Sequence, residues 1–158
     1  DHMLKLMAFH SGLDLGVSVE GDLAVDDHHT IEDVGIVLGR ALKKAIGDGE
    51  GIMRYSHNLT PMDEALATVA LDVSGRAYLS WDVEFKRDQI GFMSTECVRE
   101  FFHALAFNAG FTLHVKVENG VNDHHICEAV FKGVGRAIQE ALRKGDRRTV
   151  PSTKGKIG

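Results

Sequence analysis

The 158-residue chain has only two cysteines, Cys97 and Cys127, too few for a disulfide framework, so a reducing compartment is the default expectation. No apolar run approaches the roughly 20 residues that a bilayer-spanning helix needs, so no membrane partner is expected. A basic n-region followed by an apolar h-region is missing as well. The chain opens Asp1-His2-Met3, and no secretory signal is expected. Positive charge is not in excess: the formal net charge is −5, which argues against a dedicated nucleic-acid binder. Hydrophobic residues make up 44% of the chain, ordinary for one globular domain and too many for wholesale disorder. Histidine, by contrast, is plentiful, with nine copies, and its placement carries most of the information.

Two segments read alike. Asp27-His28-His29-Thr30-Ile31-Glu32-Asp33-Val34 continues to Gly39-Arg40-Ala41, and Asp123-His124-His125-Ile126-Cys127-Glu128-Ala129-Val130 continues to Gly135-Arg136-Ala137. The offset is constant, and composition alone predicts roughly 0.003 occurrences of D-H-H-x-x-E, so an internal duplication is the better account. Each motif follows a glycine and an alternating stretch, Gly12 to Glu20 in one half and Gly110 to Glu118 in the other, which predicts a half-buried strand in each. Helical spacing predicts helices over 1–9, 30–46, 95–108 and 124–143. Residues 64–73 and 77–86 read as two strands joined by a tight turn at Ser74-Gly75-Arg76, although the alanines of the first leave a helix open. The first half shows no counterpart to this pair. The expectation is a preceding piece of two strands, about 30–45 residues by analogy with the second half. The fold class expected is α+β, with duplicated ββαβα halves layered as sheets and helices and the first two strands of the N-terminal half absent. It forms one domain over 1–158, with pseudo-repeats at about 1–50 and 51–145 and a basic tail at 146–158.

On a helix, residues four apart share a face, so His28 with Glu32, and His124 with Glu128, can each chelate one ion. His29 and His125 lie about 100° further round their helices, so the doublets are better read as serving two ions. One such His–Glu pair is usually a surface hydrogen bond. Two copies with flanking aspartates favour a metal, and imidazole plus carboxylate without thiolate suits Mn, Fe, Co, Ni or Zn. The order H-H-x-x-E matches neither common zinc-protease motif. From local context alone, His114 reads as a solvated sheet residue, His2 as unremarkable and His10 as a helix-end residue. His57 and His103 read as surface or packing residues, and both cysteines as packing residues. Asp63 and Glu64, which follow Pro61 near a strand start, have two readings, acid/base groups or partners behind metal ligands on one side and turn acids on the other, and the turn acid is the safer. Arg54 and Arg76 divide evenly between solvated turns and anion-binding cations.

These residues together resemble the imidazoleglycerol-phosphate dehydratase family. The resemblance rests on Asp1-His2-Met3-Leu4, Gly21-Asp22-Leu23, the two His doublets, Pro61-Met62-Asp63-Glu64-Ala65-Leu66, Asp72-Val73-Ser74-Gly75-Arg76, Glu100-Phe101-Phe102, Thr112-Leu113-His114, Phe131-Lys132 and Pro151-Ser152-x-Lys154-Gly155. It covers essentially the whole chain. It implies a dehydratase, a hydro-lyase acting on imidazole glycerol phosphate to give imidazole acetol phosphate in histidine biosynthesis. The implied cofactor is two Mn²⁺ per site, with Zn²⁺ or Fe²⁺ able to use the same ligands. The implied ligands are His2, His28, His29, Glu32, His114, His124, His125 and Glu128, with His28/Glu32 on one ion and His124/Glu128 on the other.

On the phosphate side the resemblance implies Arg54, Arg76, Lys132, Ser152 and Lys154, with the tail ordering over substrate phosphate rather than staying disordered. It implies a cage of 24 subunits, or a trimer for a truncated or metal-free chain, in the cytoplasm or in a plant plastid. The chemistry requires loss of a poorly acidic C–H proton, which a Lewis-acidic ion eases by favouring the imidazolate and expulsion of the hydroxyl. No catalytic acid or base is identified here. The family's glutamate is expected in the preceding segment, so activity could be impaired. The alternatives are a catalytically silent, metal-bridged oligomer of the same fold, and a metal-dependent phosphatase, which has no supporting motif beyond the ligands.

Overall fold

The computed structural model describes residues 1–22, 24–146 and 148–158. Leu23, within the matched Gly21-Asp22-Leu23 stretch, and Arg147 of the basic tail lie outside the described residues. The elements in chain order are α1 (His2–Ser11), α2 (His28–Ile46), β1 (Tyr55–Met62), β2 (Ala65–Asp72), β3 (Tyr78–Asp82), β4 (Gln89–Ile90), β5 (Met93–Ser94), α3 (Glu96–Ala109), β6 (Thr112–Asn119) and α4 (Asp123–Leu142). The fold is a mixed α+β arrangement. No helix of the described residues is long and apolar enough to cross a membrane.

Three layers result. A four-stranded sheet in the order β1-β2-β6-β3 is covered by α3 and α4, and α1 and α2 pack on those helices from the other side. Strand β2 alternates strictly, with Ala65, Ala67, Val69 and Leu71 buried against the helices, which settles it as strand rather than helix. Phe101, Phe102 and Phe131 fill the space between layers, with ring centroids 4.7–5.4 Å apart.

The helix pairs cross in the same way twice. A Cβ at Gly39 of α2 would lie 2.6 Å from Leu105 O of α3, and one at Gly135 of α4 would lie 2.6 Å from Met7 O of α1. Only a residue without a side chain lets two backbones approach so closely. Gly39 and Gly135 are equivalent positions of the repeated motif.

Three expectations need correction. The alternating stretch 12–20 is irregular, not a strand. Its counterpart β6 lies between β2 and β3, whereas no strand flanks 12–20 among the described residues, and a lone extended segment gains no ladder hydrogen bonds. The turn at Ser74-Gly75-Arg76 does not close a hairpin. Strand β2 pairs antiparallel with β6 and β3 pairs parallel with it, so the link passes across the start of β6. Ser74 Oγ fixes that crossing through Arg76 N–H (3.0 Å), Arg76 O (2.8 Å) and Thr112 Oγ1 (2.9 Å). The strand read over 77–86 stops at Asp82, and the Lys86 and Arg87 N–H groups go instead to the Asp123 carboxylate.

Asp63 and Glu64, as expected, sit just before the start of β2, and Pro61 lies near the end of a further strand. That strand, β1, was not anticipated because its alternation is inverted. Ser56 and Thr60 face inward, while Tyr55 and Leu59 are exposed. The inner polar residues are satisfied: Ser56 Oγ donates to Ala137 O (2.7 Å) and Asn58 Nδ2 to Gly133 O (3.0 Å), both on α4.

Candidate metal centre

Helices α1 and α4 start at the same end of the molecule, and their first turns meet. Glu128 Oε1 lies 2.7 Å from His2 Nε2 and 3.0 Å from His124 Nε2, and the two imidazoles stack with centroids 5.7 Å apart. Lys132, one turn further along α4, donates from Nζ to Glu128 Oε2 at 2.6 Å. Burial works against a charge on Glu128, which is 7% exposed. The hydrogen bonds from His2, Lys132 and His124 outweigh it and hold the carboxyl down at about 2. His2, His124 and Glu128 offer ligand atoms that all lie within 4.8 Å of one another. Two imidazoles and an ionised carboxylate form a donor set suited to a divalent first-row metal, so the residues present fit such an ion.

The other histidines implied as ligands sit apart from this triad. His28 Nε2 and Glu32 Oε2 face each other at 4.0 Å across one helical turn, as the spacing predicts, with side chains 40% and 44% exposed. His29 Nδ1 lies 3.3 Å from Asp22 Oδ2, and this carboxylate raises the imidazole's pKa through their hydrogen bond. His125 Nδ1 lies 2.7 Å from Glu64 Oε2. Glu64 Oε1 also accepts the Val121 and Asn122 N–H groups at 3.1 and 2.8 Å. The His125 contact comes first among the causes that hold Glu64 at about 2. His114 stands on the open face of β6 beside the Tyr78 ring, centroids 5.7 Å apart.

The aspartate that opens each motif anchors its doublet. Asp27 accepts Ser94 N–H at 2.7 Å, and buried Asp123 accepts Lys86 and Arg87 N–H at 3.1 and 2.8 Å. The two motifs therefore hold opposite ends of one segment, 86–94, which carries the β4–β5 hairpin. These anchors and the Glu64–His125 contact escaped the sequence reading. The repeated Asp before each doublet was the available signal for the first. For the second, Glu64 could be singled out as a candidate partner behind a metal ligand, but nothing local named His125.

The cations read as phosphate-side residues are dispersed. Lys132 is beside the triad. Arg54, at φ 70°, is committed: Nε and Nη2 pair with the Asp72 carboxylate at 2.7 and 3.2 Å, and Nη1 donates to Pro151 O at 2.8 Å. Arg76 is exposed in its turn, and Ser152 Oγ accepts Lys154 N–H at 3.3 Å. The tail folds onto the second half. Thr149 O accepts Gly51 N–H at 3.1 Å, Gly158 N–H donates to Ser74 O at 3.1 Å, and Ile157 packs against the core. Between the helix layers lies a cavity of about 420 Å³ that has His2 and His124 on its wall. Among the described residues, the rest of its lining is mainly apolar and holds no lysine or arginine to meet a phosphate.

Comparison with known proteins gives one answer. The profile of the family described as imidazoleglycerol-phosphate dehydratase matches residues 1–138. The chain is 58% identical over 158 residues to the Acetivibrio thermocellus protein of that name, covering 99% of this chain and 81% of the relative. Among solved structures, the Staphylococcus aureus imidazoleglycerol-phosphate dehydratase superimposes with a TM-score of 0.86 at 44% identity, covering 91% of this chain and 81% of that one. The Pyrococcus furiosus counterpart gives a TM-score of 0.85 at 38% identity, covering 98% and 83%.

Proposed function

The chain belongs to the imidazoleglycerol-phosphate dehydratase family, and from that premise we propose that it is a metal-dependent hydro-lyase whose ion is held by His2, His124 and Glu128. The observation that carries this reading is the convergence of those three side chains from two helices. The substrate is imidazole glycerol phosphate and the product imidazole acetol phosphate. A divalent ion held there, Mn²⁺ in this reading, supplies Lewis acidity toward the substrate imidazole. Glu128 provides the fixed negative charge, and Lys132 balances it from the side where the phosphate arm is bound. Arg54 acts indirectly, since its guanidinium fastens the tail that carries Ser152 and Lys154. Arg76 contributes a further exposed cation. His28, His29 and Glu32 hold the second ion, and His114 and His125 complete the shells. The organisation proposed is one domain of two pseudo-repeats with self-association, in the cytoplasm.

The test combines metal analysis, native mass and turnover. The expected result is bound Mn²⁺, a larger assembly and elimination of water, with metal and turnover both lost in Glu128→Ala. Turnover that survives in Glu128→Ala would sink the assigned site. Metal and assembly without turnover would point to the silent, metal-bridged form.

A further inference from the structure

We propose that Glu64 and Asp22 are positioning residues that set the tautomer of the second histidine in each doublet, His125 and His29, so that each ring presents an unprotonated Nε2. The inference rests on the reading that both rings are metal ligands, and it adds the device that prepares them for the ion.

An ionised carboxylate can only accept hydrogen bonds. Glu64 Oε1 already takes two backbone N–H groups, at 3.1 and 2.8 Å, so the proton in the 2.7 Å contact to Oε2 belongs to His125 Nδ1. A neutral imidazole carries one proton, and the lone pair is then on Nε2. Asp63 Oδ2 lies 3.8 Å from that nitrogen, too far to hydrogen-bond with it. A histidine binds a metal through an unprotonated ring nitrogen, and a hydrogen bond to its other nitrogen sets which one is free.

The same contact recurs in the other half. His29 is the equivalent of His125, and its Nδ1 lies 3.3 Å from Asp22 Oδ2. The two acids do not correspond in sequence. Glu64 is in the β1–β2 turn, far upstream of its ring, whereas Asp22 is seven residues before His29. Repetition of the motif alone does not produce the pairing, yet the same ring atom meets a carboxylate both times. The tighter contact is at Glu64, which is fixed on three hydrogen bonds.

The experiment is ¹⁵N-resolved imidazole spectroscopy of the metal-free full chain, well above neutrality, followed by Mn²⁺ titration. His125 is expected as the Nδ1–H tautomer. In Glu64→Ala it should revert toward the Nε2–H form that a free imidazole favours, with Mn²⁺ affinity falling about 10–100-fold. Asp22→Ala should shift His29 in the same sense by less. If Glu64→Ala does not fold, Glu64→Gln keeps the shape with a single acceptor oxygen, and the wild-type spectrum alone still decides. A wild-type His125 carrying its proton on Nε2 overturns the proposal. A tautomer that switches while Mn²⁺ affinity stays constant supports the role of Glu64 and overturns the ligand reading of His125.

Discussion

Two copies of one motif open two helices, and their surroundings make them different. At α4 the glutamate is 10% exposed in its side chain and meets two imidazoles and a lysine. At α2 the equivalent glutamate is 44% exposed and faces one imidazole at 4.0 Å. The motif itself supplies the shared parts: a helix start, a His–Glu pair on one face and an anchoring aspartate. How tightly the site closes depends on what packs behind it. Helix α4 lies between α1 and the sheet, whereas α2 packs on α3 with an irregular segment before it.

The contrast can be broken or sharpened by measurement. The largest expected effect is in the core behind α4. Phe102→Ala should cost about 3–5 kcal/mol, against about 1 kcal/mol for Leu15→Ala in the irregular segment, read by chemical denaturation. Equal losses would mean that the first half is as well packed as the second. Next come the glutamates. Glu128→Ala should weaken Mn²⁺ binding by about 100-fold or more and Glu32→Ala by about tenfold, measured by calorimetric titration. A larger loss at Glu32 would reverse the ranking of the two sites. Gly39→Ala and Gly135→Ala test where the halves agree. Each puts a methyl group against a carbonyl oxygen and should cost about 2 kcal/mol, with the two values close. The smallest effect is expected at the tail. Arg54→Ala should cost about 1.5 kcal/mol and speed proteolytic cleavage within 148–158, while leaving Mn²⁺ binding at α2 unchanged.

The helices were legible because each carries its own signal, an apolar stripe and, for two of them, a His doublet at the start. The two His–Glu pairs were legible for the same reason, whereas nothing local marked His2, which the packing of α1 on α4 brings to Glu128. What stayed hidden depends on contacts distant in sequence. Strand β1 escaped because Ser56 and Thr60 point inward and bond side chain or helix carbonyl partners, so hydropathy reads it the wrong way round. The supposed hairpin at Ser74-Gly75-Arg76 failed because both edges of β6 need partners, which no local pattern announces. Arg54 looked like a free cation, and only the fold showed Asp72 and Pro151 beside it. Glu64 read as a turn acid, which it is. Its hold on His125 spans 61 positions.

The inverted face of β1 has a practical side for anyone engineering this chain. The usual recipe enriches buried positions in aliphatic residues and surface positions in polar ones, and on this strand it points the wrong way. Replacing Ser56 with valine removes a donor that bonds a helix carbonyl, whereas replacing exposed Leu59 with threonine changes little. A saturation library over Tyr55–Met62 should therefore show its strictest positions at Ser56 and Thr60 and its most permissive ones at Tyr55 and Leu59.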